Sequence, residues 1–347
     1  MENKYDAIVY IGRFQPFTHA HENVVKEVFD RLNADGKLIL IIGSAKRARS
    51  PRNPWTAEER KEMISSIKEF KDKNIDYVLL PNSNYNFNWW IKEVQEQVYK
   101  RIPKNYKIAI IGYKKDTSSY YLNYFPQWDF INIPEQKGGL SATNVREIFF
   151  KSDHEMYPIE CDVPLDVASW LDRWRNKYSQ AYMNIVNEIE FIKDYKKKWE
   201  NAPFQPIFVT TDAIVICKGN ILLVKRRYNP GKDLYAMPGG FIDPSEYLKE
   251  CAIRELKEET KINVEKNILR DSVELVKVFD DPYRESRGRG ITHCFLFNLK
   301  LKELPKVKGS DDAYGAQWIP LGELDSMQEL FFGDHYQIIK NMLGLIN

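Results

Sequence analysis

In the final third of a 347-residue chain, carboxylates recur at a fixed spacing around one guanidinium. Gly240 is followed after five residues by Glu246, and after seven more by Arg254-Glu255-Leu256-Lys257-Glu258-Glu259. At about 100° per helical residue, Glu255, Glu258 and Glu259 fall within an arc of about 100°, whereas Glu250 points the other way. Carboxylates crowded on one face repel, and a purely structural helix gains nothing from them. A hard cation such as Mg²⁺ or Mn²⁺ removes the penalty by taking their oxygens, and can then neutralise a pyrophosphate and activate water. Met237-Pro238-Gly239-Gly240 leads into this helix, and its glycines let backbone approach a ligand closely.

Two further constellations lie near the other end. Gly12-Arg13-Phe14-Gln15-Pro16-Phe17-Thr18-His19-Ala20-His21 follows an apolar run, Ala7–Ile11, and opens an amphipathic stretch. A strand-to-helix turn of this kind is a phosphate site, because the helix N-terminus presents unpaired amides. Leu140-Ser141-Ala142-Thr143-Asn144-Val145-Arg146, preceded by Gly138-Gly139, adds two hydroxyls and an arginine fork at a second helix start. Between strands in the last part, Phe279-Asp280-Asp281-Pro282-Tyr283-Arg284-Glu285-Ser286-Arg287-Gly288-Arg289 packs three arginines into a short loop suited to phosphates.

The elements that must position these groups follow from periodicity. Short apolar runs at Ala7–Ile11, Leu38–Ile42, Tyr77–Leu80 and Lys107–Ile111 alternate with helical patterns at Glu22–Leu32, Thr56–Phe70 and Trp89–Tyr99. That alternation predicts a parallel sheet with helices on both faces. Thr56 with Glu59 three residues on forms a capping box. Residues 164–200 hold no glycine and no proline after Pro164 and read as one or two helices, after which Phe208–Cys217, Ile221–Arg226, Val273–Phe279 and Thr292–Leu301 read as strands. The expected division is a first domain over 1–182, a linker helix over 183–202 and a second domain over 203–347.

Composition excludes several classes. With 51 basic and 49 acidic residues the net charge is +2, which supports neither a nucleic-acid nor a membrane partner. Cys161, Cys217, Cys251 and Cys294 stand singly and read as reduced core residues. The N-terminus lacks the basic and apolar regions of a signal peptide, and the apolar run Leu38–Ile42 is far short of the ~20 residues that span a bilayer. A cytoplasmic protein acting on small molecules is expected, with self-association into a homo-oligomer left open.

The glutamate helix resembles the Nudix box, GX5EX7REUXEEXGU, with Lys261 standing where the box has glycine. The resemblance implies an α/β/α Nudix domain whose metal set is Gly240, Glu255, Glu258 and Glu259, with Glu255 as ligand or base. It also implies that Arg254 orients the glutamates and that Glu246 supports a second metal. The arginine loop is similar to the FDDPxRxxRGR stretch of Nudix domains acting on ADP-ribose, which puts Arg284, Arg287 and Arg289 on substrate. Thr18 and His21 resemble the (H/T)xGH signature of nucleotidylyltransferases, and the segment ending at Arg146 resembles their (I/L)S(S/A)TxxR motif. That likeness implies a Rossmann-like domain in which His21 contacts the α- and β-phosphates of ATP. Arg13 and Arg146 would hold the triphosphate, and Gly12, Phe14, Thr18, Ser141 and Thr143 would line the site. Residues 42–60 resemble the short nicotinamide mononucleotide (NMN) adenylyltransferases first known from archaea, and Trp89-Trp90 fits their tryptophan segment near the nicotinamide ring.

The order of the two parts resembles a bacterial bifunctional family, NMN adenylyltransferase fused to a Nudix ADP-ribose pyrophosphatase. The implied reactions are synthesis of NAD from NMN and ATP, and hydrolysis of ADP-ribose to AMP and ribose 5-phosphate, with Mg²⁺ or Mn²⁺ as cofactor. Another phosphorylated acceptor, or NADH as Nudix substrate, is the alternative. An ADP-ribose-sensing regulator is disfavoured, because all the box carboxylates are present and only 25 residues follow Gly322.

Overall fold

The computed structural model describes residues 4–81, 84–113, 117–134, 141–151, 161–309 and 313–345. Gly138, Gly139 and Leu140 of the expected anion motif lie outside them. The chain divides into two compact units, Met1–Asn82 with Phe87–Val186, and Ser83–Asn86 with Asn187–Asn347. A helix spans Ser179–Lys197, and the division falls inside it, after Val186.

The first unit is built on five parallel strands: β1 (Tyr5–Gly12), β2 (Leu32–Ala45), β3 (Ile75–Pro81), β4 (Ile108–Gly112) and β5 (Asp129–Asn132), in the order β3-β2-β1-β4-β5. Their apolar runs are continuous because both faces are covered. Ala7, Val9, Ile39 and Ile41 meet Val94 and Val98 of α3 (Phe87–Tyr99) in one core cluster. The other helices of this unit are α1 (His19–Arg31), α2 (Ala57–Ser65), α4 (Ala142–Phe149) and α5 (Leu165–Lys177), followed by α6 (Ser179–Lys197) at the division. The capping box at Thr56 forms as expected: Glu59 N–H donates to Thr56 Oγ1 at 3.2 Å and Thr56 N–H to Glu59 Oε2 at 2.8 Å. The single helix expected over Thr56–Phe70 stops at Ser65, where the Ser66 hydroxyl takes the Met63 carbonyl at 2.7 Å; a 3-10 turn follows over Lys68–Phe70. β5 was not expected, since four residues carry too little pattern to register.

The second unit is a mixed sheet between helices. β10 (Val273–Phe279), β11 (Arg289–Leu299), β6 (Ile207–Cys217), β7 (Asn220–Arg226) and β12 (Ala313–Pro320) run in that order, with β8 (Tyr235–Ala236) on β7 and β9 (Gly239–Phe241) on β6. α7 (Leu248–Thr260) and α8 (Lys266–Asp271) bury Ala252, Ile253, Leu256 and Leu269 against Ala213, Val215 and Phe297. The opposite face takes Ile338, Ile339 and Met342 of α9 (His335–Met342) against Ile214, Leu223 and Cys294. This is the α/β/α arrangement. β11 begins at Arg289, three residues before the expected start, because it pairs with β6 along its whole length, Arg289 opposite Ile207. Three cysteines are buried and unpaired, but Cys161 is exposed and is not a core residue. Among the described residues no helix is long and apolar enough to cross a membrane.

Lys261 ends α7 at φ 47° and ψ 31°, its N–H bonded to the Lys257 carbonyl. A side chain in this left-handed conformation costs about 1–2 kcal/mol, of which glycine returns part through the entropy of its unfolded chain. Lys261→Gly is therefore expected to stabilise the second unit by about 0.5–1 kcal/mol. A denaturation midpoint that stays level or falls would show that the cap carries no strain.

Candidate active sites

In the first unit the site forms at the carboxyl ends of the parallel strands, beside β1, where the strand order reverses. Gly12 ends β1, and a Cβ there would stand 2.5 Å from the Phe14 ring. Phe14, expected against substrate, is instead a buried wedge at φ 50°, 1% exposed and packed against Tyr10, Phe17 and His21. The turn is held from behind by Arg60, Gln15 and Trp55. Arg60, 1% exposed, donates to the carbonyls of Arg13 at 2.7 Å, Gly43 at 2.6 Å and Ser44 at 3.1 Å. Gln15 Nε2 donates to the Trp55 carbonyl at 2.8 Å, and Trp55 N–H returns to Gln15 Oε1 at 3.2 Å.

Thr18 precedes α1 and fixes His21. The Thr18 N–H donates to His21 Nδ1 at 3.0 Å, with Thr18 Oγ1 also 2.9 Å away. A backbone amide only donates, so Nδ1 accepts and the proton of the neutral ring sits on Nε2. Burial among the aromatic rings lowers the imidazole to about pKa 4, so this tautomer persists at neutral pH. The result is a fixed N–H donor on the first turn of α1, where helix amides already favour an anion.

Arg146 is buried and turned toward backbone. It donates to the Gln15 carbonyl at 2.6 Å, to the Ala142 carbonyl at 3.1 Å and to Thr143 Oγ1 at 3.1 Å. Burial first, and the nearby Arg52 second, lower its guanidinium to about 10. Ser141 Oγ caps α4, accepting Asn144 N–H at 3.3 Å. Arg146 thus joins its own motif to the Gly12–Thr18 turn through the Gln15 carbonyl, 131 residues away, while holding Thr143 on its other side. Arg13 is half-buried on the same turn. Trp90 packs edge-on to Tyr121 at 5.7 Å at the rim of the core, and Trp89 is half-buried one residue before it.

The second unit contains a cleft of about 460 Å³ floored by β6, β7 and β9 and walled by α7. Gly240, Glu255, Glu259, Arg284 and Arg287 line it. Glu258, 56% exposed, and Arg289, paired with Asp280, are not among its lining residues. Arg254 gathers the glutamates: its fork takes both oxygens of Glu246 at 2.9 Å, Glu255 Oε1 at 2.8 Å and Glu258 Oε2 at 3.1 Å. Glu250, on the far side, pairs with Arg270 through two bonds of 2.8 Å. Glu259 Oε2 accepts the Gly239 N–H at 3.1 Å, and burial raises its carboxyl to about 8. Burial raises Glu255 as well, against the pull of Arg254. Gly240 is the cradle: a Cβ there would lie 2.5 Å from the Glu255 carboxylate.

The donor set fits a hard dication. Carboxylate oxygens with a backbone approach at Gly240 are the ligands Mg²⁺ and Mn²⁺ prefer, and a buried carboxyl pushed toward neutrality is relieved by such a charge. With Arg254 drawing Glu255 and Glu258 to itself, no three His, Cys, Asp or Glu side chains among the described residues are gathered for a metal. Several lining residues had no sequence signal, because neither pattern nor spacing marks them. Asp212 lies on β6, Arg226 on β7 with its guanidinium 4.2 Å from the Phe332 ring centre, and Asp334 precedes α9. Arg287 lies over the Phe241 ring at 5.1 Å and pairs with Glu285 at 2.8 Å.

Fold and site together define a nucleotidylyltransferase module followed by a Nudix hydrolase module. The NUDIX domain family model matches residues 208–342, and the Cytidylyltransferase-like model residues 9–148. A nicotinamide/nicotinic acid mononucleotide adenylyltransferase of Acinetobacter baylyi is 34% identical over 43% of this chain and 77% of its own length. An ADP-ribose pyrophosphatase of Methanocaldococcus jannaschii is 35% identical over 48% of this chain and 88% of its own. A bifunctional NMN adenylyltransferase/ADP ribose pyrophosphatase from Francisella tularensis, solved with AMP and a Mn ion, aligns with 99% of this chain and all of its own. That alignment has 36% identity and a TM-score of 0.89. The chain belongs to this bifunctional NMN adenylyltransferase/ADP-ribose pyrophosphatase family.

The depressed pKa of His21 sets an acid limit. Its folded value, about 4, lies below the ordinary 6.5, so the neutral ring's contribution is complete above pH 6.5 and is lost as pH falls toward 4. The loss reaches about 3 kcal/mol. Unfolding midpoints measured between pH 7 and 4 should fall more steeply for the parent than for His21→Asn. Equal slopes would place the acid sensitivity elsewhere.

Proposed function

We propose that the first unit transfers AMP from ATP to NMN, and that the second hydrolyses ADP-ribose to AMP and ribose 5-phosphate. The observation that carries the reading is the joint presence, in one chain, of both sites in the order of the bifunctional relative. In the first reaction a 5′-phosphate oxygen of NMN bonds to the α-phosphorus of ATP while the bond to the β-phosphate breaks, releasing pyrophosphate. No protein nucleophile is required, so positioning and charge neutralisation supply the catalysis. His21 Nε2–H and the α1 amides would bind the α- and β-phosphate oxygens. Arg13 would meet the triphosphate, and Arg146 would keep the Gly12–Thr18 turn in place. Trp89 and Trp90 would take the nicotinamide ring.

In the second reaction water adds across the pyrophosphate of ADP-ribose. Gly240, Glu255, Glu258 and Glu259 would hold a divalent metal, Mg²⁺ or Mn²⁺, with Arg254 releasing Glu258 as it binds. The metal would supply charge neutralisation at the pyrophosphate and an activated water. Arg284 and Arg287 would orient the substrate, and Phe241, stacked under Arg287, would present a flat face to an adenine. The solved relative's Mn ion supports the metal. Buried, unpaired cysteines and the small-molecule substrates fit a cytoplasmic enzyme.

The two chemistries should separate by mutation. Glu258→Gln is expected to lower metal-dependent ADP-ribose hydrolysis by about a hundredfold, the scale of losing one preorganised electrostatic group, while NAD formation continues. His21→Ala should do the reverse. Chromatography of NAD and AMP from NMN, ATP and ADP-ribose reads both, and undiminished hydrolysis by Glu258→Gln would remove Glu258 from the metal set. Chelation with EDTA should stop hydrolysis and Mn²⁺ or Mg²⁺ restore it; hydrolysis that persists in chelator would contradict the metal assignment.

A further inference from the structure

Arg284 lies in the hydrolase cleft between two carboxylates, and one of them has a partner from a distant part of the chain. Arg284 Nε donates to Asp334 Oδ2 at 3.1 Å, its Nη2 to Asp334 Oδ1 at 3.3 Å, and Asp212 Oδ2 is 3.7 Å away. All three side chains are less than a tenth exposed. Two carboxylates against one guanidinium leave one surplus negative charge in a buried place, which is costly unless hydrogen-bonded. Two hydroxyls supply such bonds: Thr292 Oγ1 donates to Asp212 Oδ2 at 2.6 Å, and the Tyr85 hydroxyl donates to Asp334 Oδ2, the oxygen that also accepts Arg284 Nε.

Tyr85 is placed by several independent contacts. Its segment, Ser83–Asn86, lies in sequence between β3 and α3 but clusters with the second unit. The ring meets Phe279 of β10 edge-on at 4.8 Å and packs with the cluster that contains Ile338 and Ile339. The Tyr85 carbonyl accepts Asn341 Nδ2 at 3.3 Å, and Asn84 Nδ2 reaches Asp281 Oδ2 at 3.3 Å. Burial, and then the adjacent Asp334, raise the phenol far above its usual range, so the hydroxyl keeps the proton that it donates to Asp334. Burial works against the charge on Arg284, but Asp334 and then Asp212 outweigh it and keep the fork charged.

We infer that Tyr85 is a positioning residue of the hydrolase: by donating to Asp334 it sets the direction of the Arg284 fork in the cleft. Without that bond, Asp334 has only Arg284 to answer its charge and draws the fork away from the ligand. The inference rests on the reading of this cleft as the ADP-ribose site.

Tyr85→Phe keeps the ring and removes only the donor, so the core packing against Phe279 is preserved. Steady-state hydrolysis of ADP-ribose by the full chain should show KM raised by about ten- to hundredfold, the scale of one lost hydrogen bond to a charged group, with kcat within about twofold. NAD formation should match the parent, while the unfolding midpoint of the second unit falls modestly because buried Asp334 loses a donor. Added to Arg284→Lys, the substitution should cause little further loss, because both act through the same fork. A KM unchanged by Tyr85→Phe overturns the inference, and so does a joint fall of both activities with the midpoint, which would mean a structural role only. A parent without ADP-ribose turnover defeats the reading of the site and the inference with it. Turnover in the parent with a silent Tyr85→Phe defeats the inference alone.

Discussion

Like charges on adjacent turns of one helix repel, and α7 carries three carboxylates in that relation. At the ~5–6 Å between neighbouring side chains, two such charges cost on the order of 3 kcal/mol at an effective dielectric of about 20. Arg254 lowers that cost by bonding Glu246, Glu255 and Glu258 with one planar fork. Glu259 escapes the fork and rests on the Gly239 amide, the least compensated carboxylate of the set. The rest of the second unit follows from keeping this helix edge against β6 and β9. Ala252, Ile253 and Leu256 anchor its apolar side, and glycine at 240 keeps the sheet close enough for Glu255 to lie on it.

The first unit solves the opposite problem with the same side chain. There the charge to be received is negative, and the structure keeps cationic groups turned toward backbone carbonyls. Arg60 and Arg146 between them hold the carbonyls of Arg13, Gly43, Ser44, Gln15 and Ala142, so the turn after β1 is held on two sides. Beside them, on the first turn of α1, His21 carries a neutral N–H on a helix N-terminus. Such a site binds phosphate through fixed dipoles and needs little reorganisation when charge develops.

The expected strands of both units are present, because buried parallel strands and half-buried antiparallel ones leave periods that survive without context. The capping box at Thr56 was legible for the same reason: it is complete within four residues. Phe14 and Arg289 show where reading by motif stops. Phe14 belongs to the signature stretch, yet its positive φ turns the ring inward to fill the space that Gly12 leaves. Arg289 belongs to the arginine loop, yet the β6–β11 ladder starts at that residue and commits it to an edge facing Asp280.

By itself, the sequence determined the two chemistries, since the identity and spacing of Thr18 with His21, of Ser141 to Arg146 and of the Gly240–Glu259 box are local properties of short segments. It also determined that Glu250 stands apart from the other glutamates, because helical geometry alone decides that. Tertiary structure decided which of those groups remain open to a ligand and which are spent on holding others. That Arg146 supports the Gln15 carbonyl, that Asp212 and Asp334 flank Arg284, and that Tyr85 completes this group are contacts across 50 to 250 residues. Their energies depend on burial and on the partner met there, and neither leaves a trace in the local pattern of the chain.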